Sequence, residues 1–316
     1  MTQRLSVVLP NYNHAALLPR ALAALAAQER PADEIVLVDD ASTDDSLAVV
    51  ERFAPRLRGL RVVRLACNGG AAAAIGRGLA EVSGDLIYFA AADDLAGPRL
   101  FARAEAALVA HPDAALAAGE AVLRHPDGGV MGLRPAILPA RHERYLSPTE
   151  VAQLLRRVDH FVVSVATVWR RTAIAAAGGF DVGLGAMCDS FLARELALRH
   201  GFVFIPEVLG VWHVNPASVS RAAAARPETT LAMLARGRSR IEAALGAPYP
   251  AWYPALFERR MRFAAARVVV TEPQGSRTNT DAVVAISGGG RLDRLALTLA
   301  AALPGRLRRV AALAWL

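Results

Sequence analysis

The chain has 316 residues, enough to bury a substantial core, and 54% of them are apolar, with alanine supplying much of that share and aromatics only 6%. Its 36 basic residues are all arginine and its formal charge is +7, which suits an anionic substrate or surface; arginines scattered without interleaved aromatics exclude a nucleic-acid binder. No apolar run reaches the roughly 18 residues of a bilayer span, and two distant cysteines, Cys67 and Cys188, exclude a disulfide framework and a thiolate metal site.

In chain order, Met1-Thr2-Gln3-Arg4 leads straight into the apolar run Ser6-Val7-Val8-Leu9, so no signal peptide is expected and the setting reads as cytoplasmic. The run ends in Pro10-Asn11-Tyr12-Asn13. A helix is expected over residues 14–28, with Leu17, Leu18, Leu22 and Leu25 on one face. Ile35-Val36-Leu37-Val38 forms the second strand and closes on Asp39-Asp40. A helix over 44–53 follows, ended by Pro55. Residues 61–65 read as a third strand, 70–82 as a glycine- and alanine-rich helix, and 86–90 as a strand that reaches Asp93-Asp94. This alternation predicts βαβ units on a parallel sheet. Ligands of such sheets sit beyond the carboxyl ends of the strands. The three polar turns therefore converge on one crevice, a geometry that suits a diphosphate held through a divalent cation.

Further along, Pro98 marks the start of a helix, residues 114–118 a strand, and the prolines and glycines of 120–147 loops or a hairpin. A helix over 148–158, a strand over 161–169 and the turn Gly178-Gly179-Phe180-Asp181 come next. A helix over 189–200 leads to a short strand, 202–205, stopped by Pro206. Arginine-rich helices are expected near 228–245 and 254–270, then a break at Gly288-Gly289-Gly290 and a last helix from about 292. Two regions follow: an α/β domain over 1–220 and a helical extension over 221–316.

Five segments in this order and spacing carry a resemblance. They are Val7-Val8-Leu9-Pro10-Asn11-Tyr12-Asn13, the stretch from Glu34 through Asp39-Asp40-Ala41-Ser42-Thr43-Asp44-Asp45, Asn68-Gly69-Gly70, Asp93-Asp94, and Gly178-Gly179-Phe180-Asp181 before Asp189. Over residues 4 to about 220 the chain resembles the family 2 glycosyltransferases. The resemblance implies the GT-A fold, an α/β architecture with a mostly parallel sheet flanked by helices. It also implies a nucleotide-sugar donor, with uridine diphosphate favoured, and transfer with inversion to a hydroxyl of a glycan or glycolipid in cell-surface synthesis.

Residue by residue, the resemblance gives Asp39 the imide N–H of the base, with Pro10, Asn11 and Tyr12 beside base and ribose. Asn68 and Gly70 open the helix beneath the donor. Asp93, Asp94 and His213 would hold Mg²⁺ or Mn²⁺, hard cations that take carboxylate oxygens and imidazole. Asp189 would be the general base that deprotonates the acceptor. Each position also has a plainer reading. Asp40, Ser42 or Thr43 would cap the next helix, Asn11 and Tyr12 would form an ordinary strand-exit turn, and Asp93-Asp94 would be a solvated turn. Asp189 would be an N-cap, and His213 a polar loop residue. Arg170 and Arg171, at a strand end, would meet an acceptor or phosphate or simply lie on the surface, and Cys188 reads as packing.

Three departures from the family pattern bear on function. Ala91-Ala92-Asp93-Asp94 stands where Asp-x-Asp-Asp is usual, Ile75-Gly76 where arginine and asparagine are usual, and Cys188 where a second acid often precedes the base. They leave open a second reading, a non-catalytic GT-A protein that binds a glycan or partner protein. A dehydrogenase is excluded, since Gly69-Gly70, Gly76 and Gly78 do not spell Gly-x-Gly-x-x-Gly. In the extension, Arg306, Arg308 and Arg309 among Leu303, Leu307, Leu313, Trp315 and Leu316 describe a basic amphipathic helix for peripheral membrane contact. The competing reading packs it on the catalytic domain or a second subunit, and Pro304-Gly305 interrupts it.

Overall fold

A computed structural model of the chain describes residues 3–125, 127–214, 227–244 and 248–271, with six further positions between 291 and 303. The chain divides into two units, Met1–Val182 with Cys188–Asn215, and Gly183–Met187 with Pro216–Leu316. The boundary expected at 220, the glycine break at 288–290 and the basic stretch of 304–316 lie outside the described residues. Among the described residues, no helix is long and apolar enough to cross a membrane.

In the first unit, apolar runs become strands because their β-branched side chains are buried on both faces of a sheet covered by helices. The strands are β1 (Leu5–Asn11), β2 (Glu34–Asp39), β3 (Leu60–Arg64), β4 (Leu86–Phe89), β5 (Leu95–Ala96), β6 (Leu116–Arg124), β7 (Val130–Arg134), β8 (Arg144–Leu146), β9 (Thr167–Arg170) and β10 (Phe202–His213). The helices are α1 (Leu18–Ala26), α2 (Ser46–Phe53), α3 (Ala71–Glu81), α4 (Leu100–Ala110), α5 (Pro148–Leu155), α6 (Arg171–Ala176) and α7 (Cys188–His200). Sheet order is β3-β2-β1-β4-β9-β6-β10-β5, with β7 beside β6 and β8 beside β10. The pairs within β3-β2-β1-β4 and the pair β6-β10 are parallel. Because β9 runs antiparallel to both β4 and β6, those two strands share a direction. The carboxyl ends of β1, β2, β4, β6 and β10 and the start of β9 therefore lie along one edge.

Three expectations change. Helix α1 begins at Leu18, since the His14 carbonyl accepts from Leu17 and Leu18 in a preceding turn. The strand expected over 161–169 is shorter, β9 from Thr167 to Arg170, because residues 164–166 form a tight helical turn before it, while the 120–147 stretch holds the β6–β7 hairpin, one of its two readings. Pro206 does not stop β10: the strand bulges between Phe204 and Gly210, where no ladder bond needs the missing N–H, and runs on to His213.

Two features fix the parallel half. Glu34 is buried, and burial raises its carboxyl pKa, but donors more than offset this and hold it at about 2. Ser6 Oγ donates at 2.6 Å, and Ser83 N, Ser83 Oγ and Gly84 N also donate to it, so one side chain ties β1 and β2 to the turn before β4. Helix α3 lies low on the sheet at Gly78, where an added Cβ would sit 2.4 Å from Val8 Cγ1 and 3.1 Å from Val38 Cγ2. At Gly76 nothing lies within 4 Å. Gly78→Ala is thus expected to cost about 1–3 kcal/mol by overpacking, whereas Gly76→Ala gains roughly 0.5–1 kcal/mol of helix propensity. Urea unfolding of the two variants checks this; equal midpoints would show that Gly78 does not set the spacing.

In the second unit, α8 (Pro227–Ala243) and α9 (Tyr253–Thr271) pack through buried Leu234, Ile241, Phe257 and Met261. Arg238 bridges Glu242 and Glu258 across the pair.

Candidate active site at the carboxyl edge of the sheet

The β1 and β2 ends are in register, Asn11 opposite Asp39, and both side chains are buried. Asn11 Nδ2 donates to Asp39 Oδ1 and to Ser42 Oγ, each at 3.1 Å, and Ser42 N donates to Asp39 Oδ2 at 3.2 Å. Arg64, opposite Asp39 on β3, reaches Oδ2 at 3.9 Å. Asn11 Oδ1 is buried with no hydrogen-bond partner. Ala41 has φ 61° and Asn13 φ 53°, and an alanine there stores roughly 1 kcal/mol of strain. The turn is held in that shape by Asn13 Oδ1, which accepts from Thr43 N and Asp44 N, and by Ser42 Oγ, which accepts from Asn13 N. Tyr12 stands out of this buried group, 43% exposed.

The plain capping reading of Asp40, Ser42 or Thr43 does not hold. Asp44 Oδ1 accepts from Ser46 N at the start of α2. Asp40, also buried, turns to α3: its two oxygens accept from Gly69 N and Gly70 N, each at 2.8 Å. Asn68 Oδ1 also accepts from Gly70 N, and Gly70 has φ 84° with open space where a Cβ would be. A backbone can therefore be approached closely at the head of α3.

Beyond β4, Asp94 Oδ1 accepts from His213 N at 2.8 Å, joining the β4 turn to the end of β10. Burial, with Asp93 adjacent, pushes the Asp94 carboxyl up to about 8. Neither aspartate is ion-paired among the described residues. Burial also lowers the His213 pKa, with Arg20 adding to the fall, and Arg20 donates to His213 Nε2 at 2.7 Å. The two adjacent carboxyl groups of Asp93 and Asp94 offer oxygens that fit a hard divalent cation, whereas the lone pair of His213 Nε2 is taken by Arg20. Among the described residues no three His, Cys, Asp or Glu side chains close on a point, so remaining ligands would come from diphosphate oxygens and water.

Asp189 opens α7 at the same edge, where β9 begins. Ser164 Oγ donates to Asp189 Oδ2 at 2.6 Å and Ser190 N to Oδ1 at 2.6 Å. Asp189 lies inside the first turn of α7, after Cys188, so it is not the residue that caps the helix. The preceding turn is pinned to β4: Phe180 meets Phe89 edge-on at 4.7 Å. Cys188 is buried, and burial with Asp189 next to it pushes its thiol up to about 12, so it packs and does not attack.

Arg170 and Arg171 lie elsewhere. Arg170 pairs with Leu86, the start of β4, and so belongs to the opposite edge. It donates to the carbonyls of Ala114 and Leu108, and Arg171 donates to that of Gly84. Reading the sequence missed four residues at the site: Asp40 as the brace of α3, Arg20, Arg64 and Ser164. Only Arg64 carried a signal, its register beside Asp39.

Residues 6–176 match the family described as Glycosyl transferase family 2. A PGL/p-HBAD biosynthesis glycosyltransferase of Mycobacterium bovis is 33% identical over 120 residues, 38% of this chain and 47% of the relative. An O-antigen biosynthesis protein of Myxococcus xanthus is 31% identical over 201 residues, 62% of this chain and 14% of that protein. The chain thus spans about half the length of the mycobacterial relative and much less of the other. Among solved structures, S. aureus TarS 1-349 in complex with UDP-GlcNAc superposes with TM-score 0.69 at 18% identity, covering 96% of this chain and 82% of that one. The mannosyltransferase PcManGT of Pyrobaculum calidifontis, in complex with GDP-Man and Mn²⁺, superposes with TM-score 0.60 at 21% identity, covering 99% and 87%. Both share the fold.

Proposed function

Because this chain belongs to glycosyl transferase family 2, we propose that it transfers a sugar, with inversion, from a nucleotide-diphosphate donor, a UDP-sugar first among them, to an acceptor hydroxyl. The observation that carries this reading is the gathering of Asp39, Asp94 and Asp189 at one sheet edge, each carboxylate already oriented by neighbours. The names of the mycobacterial and Myxococcus relatives support an acceptor in cell-surface glycolipid or polysaccharide synthesis.

Asp39, its oxygens each holding one donor, keeps lone pairs for the N–H of a base, and Tyr12 offers its ring to the base face. The N–H groups of Gly69 and Gly70 are taken by Asp40, so the head of α3 contributes shape and closeness. Asp93, Asp94 and, with Arg20 turned away from it, the His213 ring would hold Mg²⁺ or Mn²⁺, which when bound neutralises charge developing on the diphosphate. Asp189, fixed by Ser164, takes the proton of the attacking hydroxyl; in a single displacement it must face the acceptor oxygen opposite the leaving group.

Titration calorimetry with UDP, GDP and dTDP, each with and without Mn²⁺, tests the donor half. The expected result is Mn²⁺-dependent binding, tightest for UDP. Absence of binding by every nucleotide would favour the non-catalytic alternative suggested by Ala91 and Ile75-Gly76.

A further inference from the structure

Arg20 stands third in α1, the helix that leaves the carboxyl edge of the sheet after the β1 turn. The first turn of a helix favours acids over bases, because its free N–H groups already present partial positive charge. Helix α1 has no acid there and no side-chain cap, and carries this guanidinium instead. Arg20 is exposed and forms no ion pair among the described residues. Its Nη2 donates at 2.7 Å to His213 Nε2, an acceptor without charge. The positive charge at this end of α1 is therefore hydrogen-bonded but not neutralised.

Other guanidinium groups around the crevice are engaged by acids. Arg77 on α3 pairs with Glu81 at 2.6 Å, and Arg64 reaches Asp39 at 3.9 Å. Ile75 stands where the family pattern has arginine, so α3 brings no cation from that position. Arg124 is directly opposite His213 on β6, which puts both on one sheet face, and it gives Nη1 to the Gly128 carbonyl. With burial, Arg20 and Arg124 together hold the His213 pKa down. Two guanidinium groups thus attend one imidazole. That imidazole sits on the Asp93-Asp94 turn, where the transferase reading puts the diphosphate, and not at Asp39, where it puts the base.

We propose, resting on that reading, that Arg20 is the contact for the terminal phosphate of the donor's diphosphate, its guanidinium turning from His213 Nε2 to the phosphate oxygens. The exchange is favourable because the planar fork of donors matches two phosphate oxygens, and such charge-assisted bonds are about twice as strong as neutral ones. An exposed side chain can make the turn by rotamer change alone. The same movement releases the His213 lone pair, so a cation and a phosphate are accommodated by one swing.

Calorimetry of the full chain with UDP and with UMP, both in Mn²⁺, tests this on the wild type, Arg20→Gln and Arg20→Lys. Arg20→Gln is expected to bind UDP about tenfold more weakly, and UMP within about twofold of the wild type. Arg20→Lys keeps the charge but not the fork, so its UDP affinity should fall between the two. Glutamine is a good helix former at an exposed position, which keeps α1 intact, and the unchanged UMP affinity verifies the fold. UDP affinity equal in the wild type and Arg20→Gln overturns the proposal and leaves the donor site standing. Equal losses for UDP and UMP also overturn it, since they mark damage to the whole site. A wild type that binds neither nucleotide sinks the transferase reading, and this contact with it.

Discussion

Asp189→Asn is expected to lower turnover about 10²- to 10⁴-fold, the usual contribution of a positioned base, while leaving UDP affinity within about twofold. Asn is isosteric and can keep both neighbours: its Oδ1 still accepts from Ser190 N, and its amide can donate to Ser164 Oγ in place of the present bond. The fold at the start of α7 should therefore survive. Ser164→Ala, which frees one carboxylate oxygen without removing the base, should fall between the variant and the wild type. Single-turnover rates together with calorimetric nucleotide affinities decide the matter. Affinity that collapses in parallel with rate would make Asp189 part of the donor site and leave the base unassigned.

The second large effect is expected at Asp94, and it has two signs. In metal-free buffer the buried carboxyl keeps its proton up to about pH 8 beside Asp93, while in the unfolded chain it ionises near the ordinary value. Stability from this group is thus fully present at low pH and lost as pH rises towards 8, by up to about 1.4 kcal/mol per pH unit. Asp94→Asn removes that slope and retains an acceptor for His213 N, so the metal-free variant should melt higher than the wild type near neutral pH. Added Mn²⁺ should reverse the ranking, since binding to the native state alone stabilises it and the amide has no charge to offer. Mn²⁺-dependent nucleotide binding should disappear with it. Melting curves between pH ~5 and ~8, with and without Mn²⁺, provide the check. A flat wild-type profile and equal Mn²⁺ shifts in both proteins would remove Asp94 from the cation site.

The parallel half of the fold was legible because its strands are unbroken apolar runs and its helices keep one apolar face. What escaped the sequence was decided by partners far away in the chain. Asp39 and Asp40 look interchangeable side by side; that one stays with Asn11 and Ser42 while the other braces α3 depends on where Gly69 and Gly70 come to rest. Arg170 and Arg171 follow a strand that runs against its neighbours, so the same end-of-strand position lands on the wrong edge. Pro206 obeyed its local rule, yet the bulge made its missing N–H irrelevant. Ser164 had no local mark at all, because its importance comes from a residue 25 positions on.

The close seat of α3 at Gly78 has a consequence for how such a crevice is tuned. Gly78 lies eight residues beyond Gly70, about 12 Å along the helix axis, and the missing side chain works like a low fulcrum under a rigid lever. A larger residue there must lift the helix from Val8 and Val38, and the lift is transmitted to the Gly69-Gly70 end that Asp40 tethers. The width of the mouth can thus be adjusted from beneath, by volume alone, without altering any group that touches a ligand.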